Sequence, residues 1–362
     1  MNKCSDNCTN CSENCTSSKT MSKLQMWYCL LLIAVIGCFF AFINGAKKQQ
    51  TAAVQTGRFT YPCMGTIVDI SLFDSPEINE TAAKAIYSEL HKIELMCNIF
   101  NPASEISQLN ASADKKPFVC SKELYDLLLK CKKAYELTNG TFDITAKPLM
   151  NLWGFYAKQN HTPAQSEIEK TLAVVGLNKV RFDDNTRSVT FPVKGMSFDL
   201  GGIAKGAALD AALNAARNAG ARNGIINLGG NIACFGKNRD GRDFFEAGIR
   251  DPQNSNAIIR KISLADSCCA TSGNYERFSV IDGKRYSHIM NPLTGYPVQN
   301  MYSATVVTDK GIDSDILSTA CFILGNNFTT ELVKKGIIRE ALLIYPENNK
   351  ITIKYITKEE QK

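Results

Sequence analysis

The chain has 362 residues, of which 44% are hydrophobic and 21% charged, so it is long and apolar enough to bury a sizeable core. This composition excludes an intrinsically disordered protein, which has few apolar and many charged residues. The formal net charge is +6, but the basic residues are scattered, and no lysine- or arginine-rich run carries interleaved aromatic residues. The sequence therefore argues against nucleic-acid binding.

Residues 1–25 form a polar, cysteine-rich tail. Four of its thiols follow the spacing C-x3-C-x2-C-x3-C, at Cys4, Cys8, Cys11 and Cys15. Four thiolates so close together are chemically suited to zinc or an iron–sulfur centre, although the spacing matches no established ligand pattern. The alternative is a disordered tail with free thiols, and both interpretations stay open here. Translation from Met21 would remove the cluster.

Residues 26–43 carry no charge and are almost wholly apolar. At about 1.5 Å per residue, a helix of this length roughly crosses a hydrocarbon layer of about 30 Å. One interpretation is an uncleaved signal anchor, and the other is a lipobox ending at Cys38, which would be lipidated after cleavage. The apolar residues continue to Ile43, which favours the uncleaved helix. Lysines lie on both sides, so the orientation in the membrane is not indicated.

Residues 44–57 are polar, small and aperiodic, which predicts a linker between the membrane segment and a folded domain. No internal repeat and no glycine- or proline-rich linker divides residues 58–362, so we predict one large domain there. Ten cysteines outside the tail have mostly apolar neighbours and no disulfide-framework spacing, which predicts small core residues. They are Cys29, Cys38, Cys63, Cys97, Cys120, Cys131, Cys234, Cys268, Cys269 and Cys321.

The folded part mixes strand and helix patterns. Residues 66–73 alternate apolar and polar side chains as a half-buried strand does, and residues 79–96 have apolar residues at helical spacing. Further predicted elements follow in chain order: a helix at 121–137, a hairpin at 180–191, a strand at 196–200, a helix at 203–219, strands at 225–227, 233–235, 244–249 and 258–263, a hairpin at 278–286, a strand at 303–308 and a hairpin at 340–355. Their sum predicts an α+β fold with a mostly antiparallel sheet and flanking helices.

The segment from Phe198 to Gly206 places two glycines between a predicted strand and a helix that has Lys205 in its first turn. Glycines allow the backbone to approach a ligand closely, and a helix N-terminus offers free N–H groups, so this pattern suits a phosphate. It is neither a P-loop nor a dinucleotide fingerprint. The alternative is a tight strand–helix turn with a surface lysine. A second paired-glycine turn, 227–231, follows about 25 residues later.

Two further sets of residues suggest chemistry. His288 follows a predicted hairpin strand and precedes a loop with Pro292 and Gly295, where an imidazole can reach a cleft and take a proton from a hydroxyl. Asp315 and Thr319 share one face of a helix. A carboxylate, a hydroxyl and a glycine-turn carbonyl suit Mg²⁺, which prefers oxygen ligands. For Asp315 the alternative is a helix N-cap.

Together these motifs resemble the FAD:protein FMN transferase family, the ApbE-like flavin transferases, over most of the chain after residue 63. The matching segments, in order, are Met64-Gly65-Thr66, Ser104 to Asn110, Gly140 to Thr145, Asp199 to Gly206, Gly229-Gly230-Asn231, Thr271 to Arg277, His288 to Gly295, and Asp315 to Thr319. Eight segments in the same order make a chance match very improbable.

The resemblance implies a role for each matching position. Eleven positions would contact FAD or bind the metal by side chain or backbone, and His288 would be the general base. Those that would contact FAD are Met64, Phe100, Thr141, Phe142, Asp143, Asp199, Lys205 and Ile289. Those that would hold Mg²⁺ are Gly202, by its carbonyl, Asp315 and Thr319. Phe100 lies where family members place an aromatic residue, often tyrosine, so a hydroxyl is lost here.

The activity that the resemblance implies is transfer of FMN from FAD to a Thr or Ser hydroxyl of an acceptor protein through a phosphoester bond, with release of AMP. Family members modify subunits of membrane redox complexes, so we expect such a partner and a bacterial membrane location with the domain on the extracytoplasmic, periplasmic side. Two alternatives remain: an FAD pyrophosphatase that uses water as acceptor, and a non-enzymatic FAD-binding surface lipoprotein.

Overall fold

The structure is a computed structural model that describes residue 27 and residues 56–157, 161–254, 256–275, 278–348 and 350–359. The chain divides into two units between Ala53 and Val54. Among the described residues no helix is long and apolar enough to cross a membrane. The cysteine-rich tail, and the predicted membrane segment apart from Trp27, lie outside the described residues, so both stay predictions.

The second unit contains seven α-helices and seventeen strands among its described residues. The helices are α1 Pro76–Cys97, α2 Glu105–Ser112, α3 Lys122–Leu137, α4 Lys147–Leu152, α5 Gln165–Leu172, α6 Ala204–Asn218 and α7 Gly311–Lys334. The strands are β1 Gly57–Cys63, β2 Thr66–Leu72, β3 Phe118–Val119, β4 Arg181–Asp183, β5 Ser188–Thr190, β6 Gly224–Leu228, β7 Asn231–Phe235, β8 Phe245–Arg250, β9 Ile258–Leu264, β10 Ser267–Gly273, β11 Phe278–Ile281, β12 Lys284–Ser287, β13 Met290–Asn291, β14 Tyr296–Pro297, β15 Ser303–Thr308, β16 Glu340–Glu347 and β17 Lys350–Thr357.

Eight strands form one large sheet in the order β1-β2-β6-β7-β10-β15-β16-β17. Every neighbouring pair in this sheet is antiparallel. The predicted α+β fold with a mostly antiparallel sheet is therefore confirmed. The other strands form one three-stranded sheet, β3-β5-β4, and three separate two-stranded sheets.

Both faces of the large sheet are buried, because alternate residues of its central strands enter different cores. On β15, Val306 packs in the core that includes helix α7, whereas Val307 packs with the β8–β9 hairpin. On β7, Ala233 packs with helices α1 and α6, whereas Cys234 packs with β8–β9. Successive side chains of a strand point to opposite faces, so helices cover one face and the hairpin the other.

Helices α6 and α7 cross at a pair of glycines. A Cβ on Gly206 of α6 would collide with the carbonyl oxygen of Gly311 of α7 and would come within 2.7 Å of the Asp315 Cβ. Asp210 also joins the two helices, since its carboxylate accepts hydrogen bonds from the backbone N–H groups of Gly311 and Ile312, at 2.6 and 3.1 Å. This close crossing brings Asp315 next to the first turn of α6.

Most predicted elements are confirmed with ends that differ by a few residues, including the helix at 121–137, whose N-cap Ser121 accepts a hydrogen bond from the Leu124 N–H. The predicted strand at 196–200 is wrong, because the backbone of this segment forms hydrogen bonds with a side chain and not with a neighbouring strand. The Asn110 amide donates to the Phe198 carbonyl at 2.9 Å and accepts from the Phe198 N–H at 2.7 Å. The segment belongs to no sheet of the described residues.

The cysteines of the described residues are all buried and free, which confirms the prediction of small core residues for this part of the chain. They are Cys63, Cys97, Cys120, Cys131, Cys234, Cys268, Cys269 and Cys321. Burial raises the pKa of the Cys97 thiol to about 12. Cys97 also lines the cavity described below, and a thiol with so high a pKa stays protonated near neutral pH and is a poor nucleophile.

Candidate active site

A cavity of about 910 Å³ opens beside the α6–α7 crossing. Its volume lies near the upper end of the range for small-molecule pockets, which suits a ligand as large as a dinucleotide. The structure brings every site residue predicted from the sequence to the wall of this one cavity. They are Met64, Phe100, Thr141, Phe142, Asp143, Asp199, Gly202, Lys205, His288, Ile289, Asp315 and Thr319.

Lys205 supplies a cation on the cavity wall at the start of α6. The residues before the helix form a turn, in which the Asp199 carboxylate accepts a hydrogen bond from the Gly201 N–H at 2.8 Å. The helix begins at Ala204 without a side-chain cap. The Ala204 N–H donates to the Leu200 carbonyl and the Gly206 N–H donates to the Asp315 carboxylate, so the Lys205 ammonium is the group that favours an anion at this corner.

Asp315 is nearly fully buried, with 6% of its surface exposed. One carboxylate oxygen accepts a hydrogen bond from the Gly206 N–H at 2.9 Å, and the other accepts from the Asn231 side-chain amide at 2.8 Å. Among the described residues no basic side chain forms an ion pair with Asp315. Burying a carboxylate without a cation is costly, so the site favours a positively charged ligand near Asp315.

Thr319 lies one helical turn after Asp315 on α7, as the spacing predicts. Its hydroxyl is 3.2 Å from the Ser272 hydroxyl and 3.7 Å from the position of a Cβ built on Gly202. Gly202, Asp315 and Thr319 therefore meet in one region of the cavity. The described residues contain no group of three or more His, Cys, Asp or Glu side chains suited to a metal. The predicted Mg²⁺ ligands include only one carboxylate, that of Asp315. The other two are the Thr319 hydroxyl and the Gly202 carbonyl.

An aromatic pair lies on another part of the wall. The rings of Phe100 and Tyr156 contact edge to face with their centroids 5.6 Å apart, and Phe100 is 70% exposed. The Tyr156 hydroxyl donates a hydrogen bond to Asp199, so Asp199 joins this pair to the glycine turn. An exposed aromatic ring on a cavity wall is suited to contact a planar ring of a ligand.

The turn from Thr141 to Asp143 is fixed by internal hydrogen bonds. One Asp143 carboxylate oxygen accepts from the Thr145 N–H and hydroxyl at 2.8 and 2.6 Å, and the other accepts from the Leu177 N–H at 3.2 Å. Burial raises the pKa of Asp143, and these hydrogen bonds oppose the rise. The Thr141 hydroxyl is buried and has no hydrogen-bond partner among the described residues. A buried hydroxyl without a partner beside a cavity suits a polar ligand group.

Met64 lies in the two-residue turn between β1 and β2, with a φ of 52°. The left-handed conformation is strained for a residue with a side chain. The Glu94 carboxylate holds this turn, because it accepts a hydrogen bond from the Met64 N–H at 2.8 Å. Glu94 lies on helix α1 and lines the cavity, and the sequence contained no signal for this contact.

His288 and Ile289 connect β12 to β13 on the cavity wall. Ile289 is 6% exposed, and its N–H donates to the Ser287 hydroxyl at 3.1 Å while its carbonyl accepts from the Val298 N–H at 2.9 Å. These bonds hold the backbone that carries His288. The cavity thus combines an imidazole, a cationic corner and a buried carboxylate, a combination suited to displacement at a phosphate.

Comparisons with known proteins identify the family of the chain. A family model described as "ApbE family" matches residues 64–343. A Haemophilus influenzae protein named FAD:protein FMN transferase is 27% identical over 333 residues, covering 89% of this chain and 95% of that protein. A Vibrio cholerae protein of the same name is 30% identical over 269 residues, covering 73% and 80%.

Two solved structures are also similar. The ApbE protein from Thermotoga maritima superposes with a TM-score of 0.76 at 31% sequence identity, covering 85% of this chain and 98% of that protein. The flavin transferase ApbE from Vibrio cholerae superposes with a TM-score of 0.74 at 26% identity, covering 85% and 99%. The similarity therefore extends over almost the whole length of both structures.

Proposed function

The chain belongs to the ApbE family, and on that basis we propose that it is a FAD:protein FMN transferase, which attaches the FMN half of FAD to an acceptor protein. The observation that carries this proposal is the single cavity that Lys205, His288 and Asp315 all line. These residues are far apart in the sequence, and only the fold brings a cation, a base and a carboxylate to one place.

The proposed reaction is a displacement at phosphorus. The oxygen of an acceptor Thr or Ser hydroxyl forms a bond to the phosphorus on the FMN side of the pyrophosphate, the bond from that phosphorus to the bridging oxygen breaks, and AMP leaves. His288 takes the hydroxyl proton as the bond forms. The Lys205 ammonium holds the phosphate oxygens and opposes their negative charge.

Residues away from the phosphates hold the rest of FAD. Phe100 offers an exposed ring for a planar ring of the substrate, and the unpartnered Thr141 hydroxyl offers a hydrogen bond to a polar group. Fixing both ends of a dinucleotide positions the reacting phosphorus, which lowers the entropic part of the barrier.

Mg²⁺ fits the oxygen set of Gly202, Asp315 and Thr319. Each Asp315 oxygen accepts one hydrogen bond and keeps a further lone pair, and the buried carboxylate has no ion-pair partner among the described residues. Few protein ligands are needed, since Mg²⁺ keeps waters and binds substrate phosphates. When bound, the metal would neutralise charge on the pyrophosphate and on the departing AMP.

We further propose that the acceptor is a subunit of a membrane redox complex and that the chain is anchored at a bacterial membrane with its folded domain on the extracytoplasmic side. The family resemblance and the apolar residues 26–43 support this proposal. An anchor, whether a helix or a lipid on Cys38, would keep the cavity close to a membrane-bound acceptor.

Mass spectrometry tests the proposed function directly. The full-length chain is incubated with FAD, Mg²⁺ and a candidate membrane redox subunit, and the acceptor is examined for a gain of one FMN less one water on a Thr or Ser. A Thr→Ala acceptor variant is the control and should gain nothing. Rapid AMP release without acceptor, and no adduct with it, would instead identify an FAD pyrophosphatase.

Glu94 offers a matched pair of variants for the Met64 turn. We expect Glu94→Ala to weaken FAD binding about three- to tenfold, because the strained turn loses the acceptor that holds the Met64 N–H. Glu94→Gln keeps an oxygen acceptor and should bind FAD nearly as the unchanged protein does. Flavin fluorescence measures both affinities. If Glu94→Ala bound FAD as tightly as the parent protein does, the Met64 turn would not need Glu94.

A further inference from the structure

Asn231 lies behind the cavity wall, between two residues of the proposed site. It is the first residue of β7 and only 1% exposed. The Lys205 ammonium donates a hydrogen bond to the Asn231 side-chain oxygen at 3.1 Å, and the Asn231 side-chain nitrogen donates to Asp315 at 2.8 Å. One buried amide therefore connects the cation of the glycine corner with the carboxylate of α7.

We propose that Asn231 is a positioning residue that orients Lys205 toward the substrate phosphates and Asp315 toward the metal. This inference rests on the proposed function, because it assigns those two residues their ligands. Asn231 itself does not line the cavity and acts through its two partners.

The chemistry of the two partners requires a group between them that both accepts and donates a hydrogen bond. An ammonium group only donates hydrogen bonds and an ionised carboxylate only accepts them, whereas an amide does both through different atoms. The Asn231 oxygen must therefore face Lys205, and its nitrogen must face Asp315. Aspartate at this position would bring two carboxylates together, and an apolar residue would leave both partners without this contact.

The backbone that carries Asn231 is itself well fixed. Gly229 and Gly230 form the two-residue turn between β6 and β7, with φ values of 56° and 92°. A Cβ on Gly229 would come within 2.6 Å of the Thr66 side chain, so glycine is needed there. The Asn227 side-chain oxygen accepts a hydrogen bond from the Gly230 N–H at 2.9 Å. This turn presents the Asn231 amide to both partners at once.

The test uses Asn231→Leu, which keeps a similar side-chain volume and removes both hydrogen bonds, together with Asn231→Ala. Two binding measurements separate the two partners. FAD affinity in EDTA reports the Lys205 contact, and Mg²⁺ affinity without FAD, measured by calorimetry, reports the Asp315 contact. We expect each affinity to fall about tenfold in both variants, since each loss removes one charge-assisted hydrogen bond.

Asn227→Ala is the matched control, because it loosens the same turn without touching Lys205 or Asp315. It should lower the melting temperature and leave both affinities within about twofold. If Asn231 had only a structural role, its own variants would behave in the same way: the melting temperature would fall and both affinities would stay within about twofold. A double-mutant cycle adds a second test: in a Lys205→Ala background, Asn231→Leu should cause little further loss of FAD affinity in EDTA, because the two residues act together.

Unchanged FAD and Mg²⁺ affinities in folded Asn231 variants would overturn the inference, and so would full additivity in the cycle. Failure of the proposed function is distinguishable from this result. If the unchanged protein binds no FAD, the transferase proposal fails before any variant is compared. If it binds FAD and the Asn231 variants bind equally well, only the positioning role fails.

Discussion

Replacing Asp315 with alanine should abolish FMN transfer, with a loss of at least about a hundredfold, while the protein stays folded. Asp315 is the single carboxylate of the proposed metal set, and the remaining hydroxyl and carbonyl ligands carry no charge to attract Mg²⁺. Transfer is measured by the FMN adduct on the acceptor, and Mg²⁺ affinity by calorimetry. Full activity of Asp315→Ala in Mg²⁺ would contradict the metal assignment.

The Asp315 variant also has a structural consequence that must be measured separately. Alanine leaves the Gly206 N–H and the Asn231 amide without their acceptor, and each buried donor left unpaired costs about 1–3 kcal/mol. A lower melting temperature is therefore expected, and circular dichroism at the assay temperature checks that the protein is folded. Asp313→Ala is the matched control, because Asp313 lies on the same helix but outside the cavity wall. It should retain transfer.

The sequence predicted elements well where local chemistry determines them. The alternation of residues 66–73 marks β2, because one face of that strand is buried against the helices. Ser121 marks the start of α3, because its hydroxyl caps the helix. The strand predicted at 196–200 fails for a reason that no local pattern contains: its hydrogen-bond partner is the Asn110 side chain, 88 positions earlier in the chain.

The site shows the same division between local and long-range information. The glycine corner with Lys205 and the i, i+4 spacing of Asp315 and Thr319 are local signals of phosphate and metal chemistry. Glu94 was missed because a carboxylate on a helix usually faces solvent. Asn231 was seen as part of a glycine turn, but its role depends on the crossing of α6 and α7, which the glycine contact of Gly206 with Gly311 makes possible.

Replacing His288 with alanine should lower the rate of FMN transfer by about 10²–10⁴-fold, the usual contribution of a general base, and leave FAD affinity within about twofold. His288 is half-buried on the cavity wall, whereas the proposed contact with the phosphates of FAD belongs to Lys205. Single-turnover transfer to the acceptor measures the rate, and flavin fluorescence measures the affinity. His161→Ala, in an exposed segment outside the cavity wall, is the control.

Added imidazole distinguishes proton transfer from a structural role for His288. A free imidazole that enters the space left by His288→Ala can take the hydroxyl proton, so the transfer rate of the variant should rise with imidazole concentration. A histidine that only supports the loop between β12 and β13 would give a variant that imidazole does not rescue. If His288→Ala transferred FMN as fast as the parent protein does, His288 would have no part in the reaction. Under the alternative of a non-enzymatic FAD carrier, neither protein would turn over and both would bind FAD equally.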